Sequence, residues 1–257
     1  VPTYRLDLAY DGTVFHGYAT QPGLRTVQGE LERALGRQVG EVITVVAGRT
    51  DRGVHAAGQV VCFSLPEEID TDRVSRSLNG QLGQEIAVHD LRRVDDDFHA
   101  RFSATARRYR YEILNRAIHD PLRARTTWHI AEPLDVAAMN EAVALFIGEH
   151  DFASFCRKRD GASTVRDVLW AAWRRVGDIV ELSIAANGFC HQMVRSVVAV
   201  VVDVGRGRLA PADVKAILDA TDRRRGRGVA PPQGLTLIGV GYPGEPFDPP
   251  DWITSTP

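Results

Sequence analysis

The chain has 257 residues, 44% of them apolar and 25% charged, with a formal net charge of −2. That length allows one large domain or two of middling size, and the composition is that of an ordinary soluble globular protein. No apolar run approaches a membrane span, the start "VPTYRLDLAY" carries no secretory pattern, and Cys62, Cys156 and Cys190 have neither metal nor disulfide spacing. A reducing, cytoplasmic setting with no membrane partner is therefore expected.

Alternation places Tyr4, Leu6, Leu8 and Tyr10 on one face of a strand, with Arg5 and Asp7 on the other. From Thr26, a plausible N-cap, apolar residues recur at helical spacing through Val27, Leu31, Ala34, Leu35 and Val39 to Gly40. Strands are predicted at 42–47, 59–64 and 85–94, and "RRYRYEILN" (107–115) alternates again. The second half repeats this grammar. Asp135 opens a helix with Met139, Val143, Phe146 and Ile147 on its stripe, and strands follow at 165–176 and 178–186. The β-branched run 190–204 suits a buried strand, but its length and one-sided apolar set favour a buried helix. Pro211 sits in the first turn of a helix reaching Ala220, and a last strand ends near Tyr242. The tail from 244 is expected to be irregular. Strands that alternate in polarity and are grouped around helices predict an α+β class, not a doubly wound parallel sheet. Two halves are expected, 1–104 and 105–243.

Several signatures fail on context. "GVGYPG" (239–244) matches a dinucleotide fingerprint, but "EPFDPPD" follows it and cannot supply the required helix N-terminus. No zinc-deaminase pattern, phosphate-binding P-loop or G-x-S-x-G elbow occurs. No metal or organic cofactor is expected.

Arginine-rich stretches at 107–110, 157–166 and 223–228 could line a phosphate-tracking surface, despite the near-neutral net charge. One loop between predicted strands, "AGRTDRGVHA" (47–56), sets Asp51 between Arg49 and Arg52. Taken alone, an Asp before Arg-Gly is ordinary turn chemistry.

Four segments together resemble the TruA-type tRNA pseudouridine synthases: "YDGTVFHGY" with "TVQGELERAL", "AGRTDRGVHA", "FHARFSATARRYRYEI", and "NGFCHQMVRSVV". Weaker matches at "DFASFCRKRD…STVRDV" and "APPQGLTLIGVGY" keep the same order, so the resemblance spans about residues 3–243. One departure stands out: Tyr18-Ala19 follows Gly17 where the family carries Trp-Gln. The resemblance implies isomerisation of uridine to pseudouridine at positions 38, 39 and 40 of the tRNA anticodon stem-loop, without a cofactor. It also implies two α+β halves sharing one mostly antiparallel sheet, an RNA cleft and a homodimer.

Breaking and remaking a glycosidic bond needs a nucleophile at C1′ or C6, or a charge that stabilises an oxocarbenium ion. Asp51 is the candidate carboxylate, oriented by Arg49 and by Arg195 from "MVRSV". Guanidinium groups favour the ionised form of a carboxylate. Tyr109 is the second catalytic candidate, stacking on a flipped uridine and helping to remove the C5 proton; on pattern alone it reads as core, like Tyr111. Arg101, Arg107, Arg108, Arg157, Arg159 and Arg166 are candidate phosphate contacts, and Leu235 a candidate pocket residue. His55 and His99 are read as loop organisers. The rivals are a non-catalytic tRNA-binding protein and a hydrolase releasing uracil.

Overall fold

The computed structural model describes residues 1–157 and 161–254. It contains two compact units, one made of Val1–Thr105 with Thr236–Pro246, the other of Ala106–Leu235 with residues that follow Pro246. The chain thus returns to its N-terminal unit at Thr236, seven residues before the end of the second half expected from sequence.

In the first unit, β1 (Thr3–Tyr10) runs antiparallel to both β3 (His55–Ser64) and β4 (Ile86–Val94). The last strand of the chain, β10 (Leu235–Gly241), joins β3 in parallel through Thr236 and Leu237. The expected strand at 42–47 shrinks to β2 (Val45–Val46). The reason is a partner from outside the segment: Thr44 gives both its N–H (2.8 Å) and its hydroxyl (2.9 Å) to the Glu32 carboxylate, leaving no ladder. Along β1, Tyr4, Leu6, Leu8 and Tyr10 are buried as alternation requires. Arg5, expected to face water, is only 6% exposed. Its guanidinium lies 4.6 Å from the Tyr242 ring and pairs with Asp7 (2.7 Å) and Glu245, so the segment after β10 covers that face.

Helix α1 (Val27–Val39) begins where Thr26 Oγ1 accepts the Gly29 N–H, at 3.2 Å. A second helix, α2 (Thr71–Gln81), has no counterpart among the predicted elements. Val74 and Leu78 are its only buried residues, a thin apolar stripe on an otherwise polar helix. Its position is fixed instead by Asn79, whose amide gives a hydrogen to Val88 O (2.9 Å) and accepts the Val88 N–H (2.8 Å).

The second unit builds its sheet in the order β5 (Ala106–Asn115), β9 (Ile179–Ala186), β8 (Val165–Val176), β7 (Gly148–Asp151), all antiparallel. A short strand, β6 (Trp128–Ile130), pairs in parallel with the end of β5. Helices α3 (Val136–Ala144), α4 (Met193–Gly205) and α5 (Pro211–Asp219) pack on one another. The ambiguous valine run is helical. Val194, Val197, Val198, Val200, Val201, Val202 and Val204 are all buried, and a helix apolar nearly all round belongs in a core. Each unit is therefore α+β with mostly antiparallel strands.

Two sequence expectations change here. The tail is not merely irregular: Phe247 lies 5.5 Å from the Trp170 ring, Trp252 sits under Arg174 at 4.6 Å, and Asp251–Thr254 form a short helix, α6. Cys156 and Cys190, 34 positions apart, are joined at their sulfurs with Cα atoms 5.7 Å apart. No local spacing announces such a pair, because the β8–β9 hairpin and the approach to α4 bring it together. Among the described residues, no helix is long and apolar enough to cross a membrane.

Helix α3 docks on β8 just as α2 docks on β4. Asn140 gives a hydrogen to Trp173 O (2.9 Å) and accepts the Trp173 N–H (2.8 Å). Asn140→Ala leaves both backbone groups without these partners and is expected to lower unfolding free energy by ~1–3 kcal/mol. Urea denaturation of the two proteins measures it; an unchanged midpoint would contradict the clamp.

Candidate active site

Asp51 lies in the loop between β2 and β3, and the loop is held from beneath. Gln59, on β3 and wholly buried, donates from Nε2 to Gly48 O (2.8 Å) and to the Tyr10 hydroxyl (3.1 Å). The Tyr10 oxygen is 2.7 Å from Thr50 Oγ1, the neighbour of Asp51. Burial pushes the Tyr10 phenol up to about 12, so it stays neutral and its proton is available for Thr50. Thr50 O in turn accepts the Tyr18 N–H at 3.0 Å. On the far side of Asp51, its own carbonyl accepts the Val54 N–H (3.1 Å), closing a turn.

The N-terminal turn fits against this loop only because two glycines lack side chains. A Cβ on Gly12 would fall on the Val54 carbonyl, and Gly17 has φ +95° with its missing Cβ 3.1 Å from Thr50 O. His55 Nδ1 accepts the Gly12 N–H at 3.0 Å. His99 does the same for the N–H groups of Arg101 (3.2 Å) and Phe102 (3.1 Å). Both histidines organise backbone, the role the sequence suggested. Within this arrangement Asp51 is half-buried and Arg49 exposed.

The other catalytic candidates belong to the second unit. Tyr109 pairs with Ile184 across β5 and β9, is 8% exposed, and meets the edge of Phe189 at 5.2 Å between ring centroids. Arg195 is half-buried on the first turn of α4. Its Nε donates to Ala230 O (2.7 Å) while its own carbonyl accepts the Ala230 N–H (3.0 Å). An arginine on an apolar helix thus has a defined inward partner, not a route to the surface. One residue further, Pro231 O accepts the Tyr111 hydroxyl at 2.8 Å. Burial raises the Tyr111 phenol well above the usual range, which keeps that donor protonated. Together Arg195 and Tyr111 fix the segment that leads into Leu235, itself buried.

The proposed phosphate contacts divide. Arg101 and Arg157 are exposed, with Arg101 5.4 Å from the Phe102 ring. Arg107, Arg108 and Arg166 are half-buried and each reaches a backbone carbonyl: Asn187 O (3.0 Å), Asp248 O (3.3 Å) and Ser163 O (3.0 Å) respectively. Burial lowers the guanidinium pKa of Arg108 and Arg166. Arg159 lies outside the described residues. The sequence alone does not mark Tyr10, Gln59, Thr50 or Tyr111 as supports. Tyr111 was assigned to the core, which is correct but hides its hydroxyl, and a glutamine within the apolar run of β3 was the available signal for Gln59.

A model of the tRNA pseudouridine synthase family matches residues 8–103 and 142–243. The tRNA pseudouridine synthase A of Frankia casuarinae is 46% identical over 246 residues, 94% of this chain and 90% of that protein. That of Brevibacillus brevis is 44% identical, covering 93% of this chain and 98% of the relative. That of Bacillus subtilis is 40% identical, covering 91% and 97%.

Tyr10→Phe keeps the buried ring and removes the oxygen between Gln59 and Thr50. It is expected to cost ~1–3 kcal/mol of stability, as buried partners left unpaired do. It should also speed hydrogen exchange at the Tyr18 and Val54 amides relative to amides in β1. Equal exchange in the two proteins would show that the loop is held by something else.

Proposed function

The chain belongs to the tRNA pseudouridine synthase family, and on that premise we propose that Asp51 is the carboxylate that acts on a uridine of the tRNA anticodon stem-loop. The enzyme is an isomerase whose substrate is tRNA: uracil leaves C1′ of its ribose and returns through C5. Uridines at positions 38, 39 and 40 are the proposed targets, and a cytoplasmic homodimer the proposed working form. The single observation that carries the proposal is the loop itself, in which a half-buried Asp51 follows Gly48, held by Gln59, and Thr50, held by Tyr10 and Tyr18, while its own carbonyl accepts the Val54 N–H. Such fixation suits a carboxylate that must meet one atom of a sugar or base.

Asp51 is proposed to attack C1′ or C6, or to stabilise an oxocarbenium ion as the glycosidic bond breaks. Both attacks use the same residue, and neither needs a cofactor. The guanidinium groups of Arg49 and Arg195 are assigned to balancing and orienting that negative charge. Tyr109 is assigned to stacking on the uracil, worth ~1–3 kcal/mol for an exposed base, and to helping remove the C5 proton after reattachment. Leu235 is proposed as an apolar contact for the base. Arg101, Arg107, Arg108, Arg157, Arg159 and Arg166 are proposed phosphate contacts, which position RNA without reading its sequence.

The test uses unmodified tRNA tritiated at uridine C5. An isomerase releases tritium, an N-glycosidic hydrolase releases free uracil, and a non-catalytic binder releases neither. Asp51→Asn should reduce tritium release by ~10⁶-fold, the scale of losing a nucleophile, with tRNA affinity nearly unchanged. An active Asn variant removes Asp51 from the chemistry.

Tyr109→Phe keeps the ring and deletes the hydroxyl. A fall of ~10²-fold in the rate of tritium release is expected if that hydroxyl moves a proton. A fully active Phe variant would leave the ring as a stacking surface alone.

A further inference from the structure

Cys156 and Cys190 take no part in the chemistry proposed above, yet the fold holds them as a pair. Cys156 is 1% exposed, next to the fully buried Phe155. Cys190 is half-buried, in the turn that links β9 to α4. The backbone hydrogen bond from Arg157 N–H to His191 O, 3.0 Å, sets the two stretches side by side. The resulting Cα separation of 5.7 Å is within the range natural disulfides use. The turn also carries Phe189, whose edge meets Tyr109, and runs into the first turn of α4 with Arg195. A sulfinic or sulfonic acid on Cys190 would add a charge to the turn that carries Phe189 and leads into α4.

We propose that Cys156 and Cys190 are a reversible dithiol–disulfide site, in which the half-buried Cys190 meets a hydroperoxide and the buried Cys156 resolves it before further oxidation. In the first step the Cys190 sulfur attacks a peroxide oxygen. The O–O bond breaks, Cys190 becomes a sulfenic acid, and the thiol proton leaves with the departing oxygen as water. In the second step the Cys156 sulfur attacks the Cys190 sulfur. The S–S bond forms, the S–O bond breaks, and the Cys156 proton leaves with the hydroxyl as a second water. Two thiols lose two electrons and one hydrogen peroxide is reduced to two waters. Dithiol reductants reverse the bond by exchange. Without a resolving thiol, a sulfenic acid proceeds to sulfinic and sulfonic acids that such reductants do not restore.

The consequence for activity rests on the function proposed above; the cysteine chemistry does not. The full-length protein is reduced, treated with hydrogen peroxide, and divided between non-reducing peptide mapping and the tritium-release assay, with and without dithiothreitol. Wild type should yield a Cys156–Cys190 linked peptide and keep its activity or regain it on reduction. Cys156→Ser should accumulate sulfinic or sulfonic acid at Cys190 and lose activity that dithiothreitol does not restore. Cys156→Ala serves instead if the serine does not fold. Cys190→Ser should resist the same treatment. Absence of the linked peptide from peroxide-treated wild type overturns the proposal. Parallel, irreversible loss of activity in wild type and both variants overturns its protective role. If reduced wild type releases no tritium, the functional reading fails while the peptide map still decides the cysteine chemistry.

Discussion

A buried line of hydrogen bonds, from Gln59 through the Tyr10 hydroxyl to Thr50, is what the proposed catalytic loop depends on. The loop buries only small or β-branched side chains of its own, Ala47, Thr50 and Val54, and leaves Arg49 and Arg52 exposed, so hydrophobic packing alone gives it little hold. The alternative is to satisfy its backbone from below with polar groups already locked inside the sheet. Each neutral bond of this kind contributes only ~0.5–1.5 kcal/mol, but leaving a buried partner unmade costs ~1–3 kcal/mol. That asymmetry makes the loop geometry specific more than it makes it strong. Tyr10 and Gln59 sit on β1 and β3, neighbouring strands of one sheet, so the loop inherits the rigidity of that sheet.

The second unit solves a similar problem with different groups. The stretch from Ala230 to Leu235 has few side chains of its own to bury. Arg195 and Tyr111, from α4 and β5, take its carbonyls instead. In both units the irregular segment of interest is tied by side chains of regular elements to backbone atoms. Helix docking follows the same logic: Asn79 and Asn140 each exchange two hydrogen bonds with one strand residue. A helix as polar as α2 can stay in place because the clamp supplements a thin apolar stripe.

Much of this was legible in the sequence where one signal dominated. Thr26 and Gly40 bound α1 as their capping chemistry requires, the alternation of β1 and β5 matched their strands, and the runs expected at 165–176 and 178–186 became β8 and β9. Legibility failed where a distant partner decided the outcome. Glu32 removed residues 42–44 from the ladder, Tyr242 and Glu245 turned Arg5 inward, and Trp170 and Arg174 gave the tail something to pack on. The Cys156–Cys190 pair belongs to the same class, since a separation of 34 positions leaves no local trace of it. Within the candidate site, Asp51 and Arg49 were visible because a loop motif concentrates unusual residue types. Tyr10 and Tyr111 were not, because alternation reports which face a ring occupies and says nothing about where its hydroxyl points.

The Tyr18-Ala19 departure from the family pattern shows how such a scaffold tolerates change. Tyr18 reaches the Asp51 loop through its backbone N–H, which donates to Thr50 O, and that bond is independent of the side chain. The ring is fully buried, 6.3 Å from the Tyr10 ring, where any large aromatic meets the same demand for volume. Gly17 is different. Its φ of +95° and its close approach to Thr50 O depend on having no side chain at all. The constraint that matters at this turn is therefore on backbone shape first and on aromatic bulk second, and Gly17 and Tyr18 supply one each.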